Sequence, residues 1–458
     1  MLYVHFYHRR GDKIRESPMV IWLMRLFNSS WRLFSFLRYN HVKIIVWGIN
    51  YYPEPTGIGP FNTDLCAFLA ERGHQVTMLS TFPYYPWWRK READAGKLYE
   101  REKLQGVTLI RCWHYVPAKP TTLTRLLHEL SFVATSTLRA LFAARPDVYI
   151  VVSPPLFLGL GATLVRWLRW GKFVYHVQDL QPDAALGLGM LKPGPAVRTL
   201  YLLEKWNYAR ASLVTGISQG MMTAFHNKRV RDKKTYLFPN WIPDGDATER
   251  SDSPVSFRAV HGIAPETPLI AYSGNLGMKQ GLEVVVDAAA LAGKPTSPQP
   301  PAIHWAICGE GAAKPALQEM IAQTGCDTVH LYPLQPDDLY RALLREADVC
   351  LITQQKGTGQ FFFPSKLLSI LQLGRAVLAV ADESSELARA VREGNFGLVV
   401  APGDAPALLA AAQKMALAGR EQHHQWSANG LAWVDQFRRR RVLEAFEERL
   451  AGLCPKRR

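Results

Sequence analysis

Apolar runs alternate with amphipathic stretches along most of the chain. The first run, at residues 42–49, reads VKIIVWGI and is typical of a buried parallel strand. A Gly/Pro-rich loop follows it, then a predicted helix at about residues 60–72 and a second strand that reads QVTMLST. This order predicts a doubly wound sheet. Because the alternation continues, we predict one Rossmann-like domain over residues 43–240.

A second alternating series begins after an irregular stretch at residues 241–266, which we interpret as an interdomain link. The segments PLIAYSG, IHWAICG, VHLYPL, DVCLIT and AVLAVA alternate with predicted helices, so residues 267–424 form a second predicted Rossmann-like domain. Residues 425–458 contain one long predicted helix, which we expect to cross back to the first domain. The fold class is therefore α/β, with two doubly wound domains.

The N-terminal extension, residues 1–42, stands apart from both domains. It carries seven Lys/Arg against two Asp/Glu and many aromatic residues, a pattern that fits an amphipathic helix on a membrane. A disordered segment, or one outside the mature protein, is the alternative. No secretory signal is recognisable, and the longest uncharged stretch contains Pro154 and Pro155, which oppose a spanning helix.

The charge of the chain is strongly positive. The formal net charge is +15, which attracts nucleic acid, anionic lipid or phosphorylated substrates. Nucleic-acid binding is disfavoured, because no recognition motif is present and the basic residues form no stripe. The cluster at residues 438–441 predicts a solvated helix face or a contact with anionic lipid headgroups. None of the six cysteines forms a CxxC pair, and no His lies at metal-ligand spacing from a Cys pair, which argues against a disulfide framework or zinc site and favours a reducing compartment.

Ligands of open α/β sheets bind at the carboxyl ends of the strands. The first such loop here contains Gly57 and Gly59, where the backbone can approach a ligand closely. It does not match GxGxxG, because Asn62 occupies the last glycine position, and no acidic residue ends the second strand to hold a ribose. NAD is therefore disfavoured, and a tight turn that needs glycine is the alternative.

Two further loops predict contacts with phosphate or sugar. Pro364, Ser365 and Lys366 open a helix whose N–H groups, dipole and lysine suit a diphosphate. A lysine in the first turn opposes the helix dipole unless an anion is bound, which argues against an ordinary capped helix. The glycine-rich loop at residues 273–281 and the shorter turn at Gly309 follow two apolar strands and suit a similar contact.

These segments, in this order, resemble the GT4 family of retaining glycosyltransferases, over about residues 43–403. The stretches HVQDLQPD, GISQGM, YSGNLGMKQGLE, ICGEG and FPSKLLSILQLGRAV resemble its WcaI-type branch, which is associated with colanic acid and related exopolysaccharides. The resemblance implies a GT-B fold, in which two Rossmann-like domains face each other across a cleft. It also implies a donor held by the second domain, an acceptor held by the first, and no metal or other cofactor.

The resemblance assigns roles to several residues. Gly57 and Gly59 would approach the donor phosphate or the transferred sugar. Asn275 and Lys279 stand where the family commonly has Arg and Glu, and Gln280 replaces the usual Lys of that motif. We infer, without motif identity, that Lys279 or Lys366 supplies the missing cation. The residues that would border the nucleotide base are Leu334 and Gln335.

Two departures from the family pattern affect the site. The pair of glutamates spaced eight apart is replaced by Phe361 and Ser369, which leaves the ribose contact open. Where relatives carry a His-Asp pair, this chain has Gln178 and Asp179, with His176 two residues earlier. We predict that Asp179 positions the acceptor and rank His176 second, a satisfied core histidine being the alternative for the latter.

The expected activity is transfer of a sugar from a nucleotide-sugar donor to a polyprenyl-diphosphate-linked precursor. Resemblance to a branch whose name-giving member is described as a fucosyltransferase suggests GDP-fucose, and a UDP-sugar is the alternative. Aromatic and basic residues at 84–90 and around Trp167 and Trp170 favour a peripheral position on the anionic cytoplasmic face of the membrane. A sugar-nucleotide epimerase and a non-catalytic scaffold of the same architecture remain as alternative functions.

Overall fold

The first half of the chain folds around an eight-stranded sheet. The computed structural model describes residues 41–187, 192–245, 255–292, 302–357, 359 and 365–454. The spatial order of the first sheet is β3-β4-β2-β1-β5-β6-β7-β8. Its strands are β1 Lys43–Trp47, β2 Gln75–Thr81, β3 Tyr99–Leu104, β4 Val107–Cys112, β5 Val148–Ser153, β6 Lys172–Val177, β7 Leu213–Gly216 and β8 Thr235–Leu237.

All pairings in this sheet are parallel except that of β3, which runs antiparallel to β4 at the edge. Gln105 and Gly106 join these two strands in left-handed conformation, as a two-residue hairpin requires. Helices cover both faces of the sheet. They are α1 Gly59–Glu71, α2 Thr122–Leu141, α3 Leu158–Arg169, α4 Gln181–Gly187, α5 Pro195–Arg210 and α6 Gln219–Asn227.

The second half contains a six-stranded parallel sheet in the order β11-β10-β9-β12-β13-β14. Its strands are β9 Leu269–Ser273, β10 His304–Cys308, β11 Val329–Tyr332, β12 Val349–Thr353, β13 Val377–Val380 and β14 Gly397–Val400. The helices are α7 Phe257–His261, α8 Glu283–Ala292, α9 Lys314–Thr324, α10 Asp337–Glu346, α11 Ser365–Gln372, α12 Glu386–Gly394, α13 Ala405–Ala416, α14 Arg420–Val434 and α15 Arg439–Leu453. The predicted α/β class with two Rossmann-like sheets is confirmed.

The C-terminal region forms two helices, where the sequence pattern predicted one. α14 ends in a short 3₁₀ turn, Asp435–Phe437, and Arg438 is extended before α15 begins. α14 buries Trp426 and Val434 against the second sheet, whereas α15 buries Leu443 and Phe446 in the core of the first. The break lets the chain change domains, so α15 packs on the first domain.

Residues on α15 bond extensively to the first domain. The ring of Phe446 stacks on that of Phe238, with centroids 3.8 Å apart. The Glu447 carboxylate, 2 % exposed, is 3.0 Å from Nε of Arg72 and 3.0 Å from Nε2 of His74. A carboxylate this deeply buried is stable only with such partners.

The arginine cluster at residues 438–441 is used largely within the protein. Arg438 donates to the carbonyl oxygen of Gly245, and Arg439 Nε lies 2.8 Å from both carboxylate oxygens of Asp64. The other two guanidinium groups are exposed and pair with acids on α15 and in the preceding 3₁₀ turn, 2.9 and 3.5 Å away. The first half of the cluster therefore holds α15 to the link and to α1.

The N-terminal extension lies outside the described residues up to residue 40, as do Phe361 and Pro364. Within the described ranges, no helix combines the length and apolar character that crossing a bilayer requires. In the same part of the chain, no three His, Cys, Asp or Glu side chains are grouped as metal ligands would be.

Candidate functional site

Residues from the carboxyl ends of both sheets meet between the domains. Asp179 follows β6 of the first sheet, and Lys279 follows β9 of the second. Burial raises the pKa of Asp179 and lowers that of Lys279, and the attraction between the two charges opposes both shifts. At one side of this cleft the Glu386 carboxylate accepts the N–H groups of Gln219 and Gly220, at 2.8 and 3.1 Å. A cavity of about 440 Å³ lies beside that contact.

The loop after β1 is held in place by a buried carboxylate. Glu54 Oε1 accepts the backbone N–H groups of Tyr84 and Tyr85, both at 3.0 Å, and its Oε2 accepts from Asn50 Nδ2 at 2.7 Å. Burial raises the pKa of Glu54, and the donated hydrogen bonds oppose that rise. The loops after β1 and β2 are thus joined into one wall of the cleft.

Gly57 and Gly59 lie on this wall. Gly57 has a left-handed conformation with φ of +69°, beside the ring of Tyr85. Gly59 is the first residue of α1, and a Cβ there would lie 3.1 Å from the carbonyl oxygen of Glu54. The glycines therefore meet a steric need of the turn. Nothing in this geometry requires a ligand at Gly59, although both residues stay at the predicted edge.

His176 lies inside the sheet, 2 % exposed. The Gln178 amide nitrogen donates to its Nε2 at 2.8 Å, so the imidazole proton is on Nδ1 and is donated to Thr215 Oγ1, also at 2.8 Å. Burial lowers the pKa of His176 to about 3. Because both ring nitrogens are used and the ring stays neutral, this placement favours a structural role for His176.

Asp179 is more exposed than His176. It is half-buried at the end of the strand, and burial raises the pKa of its carboxyl to about 6 while Lys279 opposes the rise. A carboxylate with such a pKa can change protonation near neutral pH. Gln178 bonds to Asn240 at 3.1 Å as well as to His176, so the residue beside Asp179 is fixed.

The loops after β9 and β10 touch through glycines. The N–H of Gly274 donates to Cys308 at 2.9 Å, and a Cβ on Gly309 would lie 1.8 Å from the carbonyl oxygen of Gly274. The Asn275 side chain lies between Gly277 and Gly311, within 2.9 Å of where their Cβ atoms would be. Only glycines allow the two loops to approach this closely. As a result, backbone groups instead of side chains line the strand ends here.

Lys366 lies against these loops. Its Nζ donates to the hydroxyl of Tyr272 at 2.7 Å and lies 3.9 Å from the centre of that ring. The hydroxyl in turn donates to the carbonyl oxygen of Asn275 at 2.8 Å. Burial, reinforced by the nearby charge of Lys279, lowers the pKa of Lys366 to about 7. Two partly buried lysines with lowered pKa values are an arrangement that a bound anion would stabilise.

The remaining predicted residues lie around this centre. α11 begins at Ser365, so Ser365 and Lys366 occupy its first turn, and Ser369 is one turn further, facing Tyr340. Leu334 follows β11 and is exposed, and Gln335 bonds to the carbonyl oxygen of Pro333 at 2.7 Å. The structure thus groups Asp179, Lys279, Lys366, Asn275 and Gly309 near the cleft and places His176 inside the sheet.

Two residues of the site were missed in the sequence. Glu54 gave only a weak signal, an acid in a Gly/Pro-rich loop, and its role depends on amides 30 residues away. Tyr272 was read as part of an apolar strand, although its hydroxyl orients Lys366. No local pattern distinguishes a strand tyrosine that faces a lysine from one that only fills the core.

Comparisons with known proteins identify the family. Residues 56–241 match the model of the glycosyl transferase 4-like domain, and residues 256–433 match that of glycosyl transferases group 1. The chain is 37% identical over 354 residues to WcaI of Escherichia coli K12, named as a colanic acid biosynthesis glycosyl transferase. The aligned residues make up 76% of this chain and 85% of WcaI.

Solved structures share the fold at low sequence identity. Sucrose-phosphate synthase from Thermosynechococcus elongatus aligns with a TM-score of 0.68 and 18% identity, over 90% of this chain and 99% of that one. HepE from Anabaena, in complex with UDP, aligns with a TM-score of 0.63 and 17% identity, over 90% and 100%. Together with the WcaI match, this likeness confirms the GT-B fold and the GT4 resemblance. The chain is a glycosyltransferase and belongs to the GT4-like family that includes WcaI.

Proposed function

We propose that the protein transfers a sugar from a nucleotide-sugar donor to a polyprenyl-diphosphate-linked glycan precursor during exopolysaccharide biosynthesis, with retention. The name of WcaI supports the exopolysaccharide setting. The resemblance to its branch suggests GDP-fucose as the donor. HepE was solved with UDP and with UDP-glucose, so UDP-sugars are the second class to test. The proposed location is the cytoplasmic face of the membrane, peripherally bound to its anionic surface.

The observation that carries this proposal is the position of Lys366 beside Gly274, in the glycine loop after β9 that also carries Lys279. Both lysines lose part of their preference for the charged state through burial. A diphosphate would restore that preference, and the N-terminus of α11 would add to it. The site therefore suits the diphosphate of a nucleotide sugar.

In the transfer step, the bond between the anomeric carbon and the diphosphate oxygen breaks, and the acceptor hydroxyl oxygen bonds to that carbon. The leaving diphosphate gains negative charge, which Lys366 and Lys279 would stabilise. It also takes the acceptor proton, because with retention the acceptor approaches on the leaving-group side. Asp179 would accept a hydrogen bond from the acceptor hydroxyl and orient it.

Nucleotide release tests the proposal. Purified protein would be incubated with GDP- and UDP-sugars, with and without short-chain polyprenyl-diphosphate-glucose. We expect acceptor-dependent release of one nucleotide, lost in Lys366→Ala and kept in Lys414→Ala, an exposed lysine on α13. Conversion of the donor without acceptor would indicate an epimerase, and absence of any nucleotide-sugar binding would indicate a scaffold.

A further inference from the structure

The outer side of α2 is apolar where a solvated helix would be polar. Leu126, Leu130, Leu138 and Phe142 follow one another at multiples of four residues and are all exposed, Phe142 by 76 %. The opposite side of the helix buries Phe132 and other residues in the core. Contiguous exposed apolar patches of this kind are typical of surfaces that bind a partner or a membrane.

The neighbouring helix α3 repeats the pattern. Leu160, Leu164 and Trp167 are exposed on its outer side, Trp167 by 78 %, while Ala162 and Val165 are buried beneath. A Cβ on Gly161 would lie 2.2 Å from Thr137 Oγ1, so α2 and α3 pack closely. Their outward sides therefore form one surface.

Helix α5 extends this surface. A Cβ on Gly159 would lie 2.4 Å from the Asn207 side chain, which places α5 directly beside α3. Leu202 and Trp206 are exposed on it, and the guanidinium of Arg210 lies 4.3 Å from the Trp206 ring centre. We call the outward sides of α2, α3 and α5 the outer face.

The charge of the outer face is positive. The three helices carry seven Lys/Arg and two Glu. Neither glutamate is fully exposed on the outer face. Glu204 is buried against Lys228, and Glu129 is partly buried and bonded to Gln181 at 3.3 Å. The guanidinium groups of Arg166 and Arg169 bond to the backbone carbonyl oxygens of Arg210 and Ala143. The second domain shows no such concentration in its described part, where exposed large apolar residues are few and scattered.

We propose that the outer face is the surface by which the protein docks on a bilayer rich in anionic phospholipid. Leucines and tryptophans flanked by Arg and Lys match the boundary between acyl chains and headgroups, and the charge is complementary to anionic lipid. The face also continues to the cleft, because exposed Trp87, Trp113 and Tyr115 follow β2 and β4 at the carboxyl edge that carries Asp179.

This inference rests on the proposed function, which supplies the lipid-linked acceptor as the substrate held at the membrane. With the outer face in the headgroup region, the polyprenyl chain would stay in the bilayer while its sugar reaches Asp179. The surface replaces the arginine cluster at residues 438–441 as the membrane contact, since half of that cluster holds α15.

Sedimentation of full-length protein with vesicles tests the docking surface. We expect binding to phosphatidylglycerol/phosphatidylcholine vesicles that weakens with salt, and little binding to phosphatidylcholine alone. Leu164→Gln/Trp167→Gln should reduce partitioning by about tenfold or more, and Arg198→Gln/Lys205→Gln should remove its salt dependence in part. The matched pair Leu417→Gln/Lys414→Gln on the second domain should bind as wild type.

A diazirine phospholipid in the same vesicles locates the contact. Crosslinks on peptides from α2, α3 and α5 are expected. Crosslinks confined to residues 1–40 or to the second domain, or equal partitioning of all variants, would overturn the proposal. A wild-type dimer that Leu164→Gln/Trp167→Gln converts to a monomer, without lipid binding, would assign the face to a second copy instead. GDP and UDP binding in lipid-free solution, measured on each variant, separates this outcome from failure of the proposed function.

Discussion

Asp179 of the first domain and Lys279 of the second influence each other's pKa across the cleft, although 100 positions separate them in the chain. Under the proposed function, the carboxylate would orient the acceptor and the lysine would stabilise the diphosphate. The pairing would then bring the two halves of the transfer reaction together between the sheets.

Asp179→Asn should remove the acid limb of the pH profile. In wild type, burial raises the pKa of Asp179 to about 6, so kcat/KM should fall as the pH drops through that value and the carboxylate is protonated. The variant should lose about 100-fold in kcat/KM at pH 7, with a flat acid side and unchanged donor affinity. Asp232→Asn, an exposed acid in the same domain, is the control. An acid limb that persists in Asp179→Asn would assign it to another group.

His176→Gln should affect stability more than catalysis. Below pH 6.5 the histidine takes up a proton in the unfolded chain. In the folded protein it stays neutral, because burial lowers its pKa to about 3. Wild-type stability should therefore fall as the pH drops from 6.5 to 5, by about 2 kcal/mol from this residue. Urea unfolding at pH 7 and pH 5 should show that the variant lacks this part of the slope. A large loss of kcat with wild-type stability would instead indicate a catalytic histidine.

Gly274→Ala should weaken donor binding. The added Cβ would lie 2.5 Å from Lys366 Cε, at a φ of +139°, so the lysine must leave Tyr272. We expect the donor KM to rise about tenfold, the equivalent of one weakened charged hydrogen bond. Gly403→Ala, also at positive φ but in open space, should cost about 1 kcal/mol in stability and leave KM unchanged. Equal effects of the two substitutions on KM would refute the steric account.

Glu447→Gln should destabilise the first domain. The carboxylate is buried between Arg72 and His74, so the neutral amide would weaken the ion pair with Arg72 and the hydrogen bond with His74. Because Arg72 is partly exposed and can reach water, we expect a loss of about 2 kcal/mol, below the range for a fully buried pair. Chemical unfolding is the measurement, and Glu448→Gln on the exposed side of α15 should stay within about 0.5 kcal/mol of wild type. Indistinguishable unfolding midpoints for the two variants would contradict this role.

The sequence predicted the elements whose own residue pattern shows that they are buried. β1, β5, β9 and β10 are covered on both faces, so their apolar runs are continuous. β3 was missed because it is a charged edge strand, YEREKL, paired only with its neighbour. The break before α15 was missed because periodicity shows that a helix buries a face, without showing which domain receives it.

In the candidate site too, some residues could be predicted from local sequence signals and others could not. Lys366 and the glycine loops could be proposed from the sequence because a lysine in a helix first turn and glycines at strand ends are local signals. The role of Glu54 depends on amides after another strand, and the meeting of Asp179 with Lys279 depends on how two domains are placed. His176 and Gln178 share a strand face as expected, but Thr215 on the next strand and deep burial keep the histidine from the cleft.

The most direct test of the account is calorimetric titration of the protein with GDP and UDP at pH 8, in buffers of different ionisation enthalpy. Free Lys366, with a pKa of about 7, is mostly neutral there, and a bound diphosphate should restore its charge. We predict uptake of nearly one proton on binding. Lys366→Met should bind about 10- to 100-fold more weakly without that uptake, whereas Lys414→Met should match wild type. Equal affinity of Lys366→Met and wild type, or binding by wild type without proton uptake, would contradict the assignment of Lys366 to the donor diphosphate.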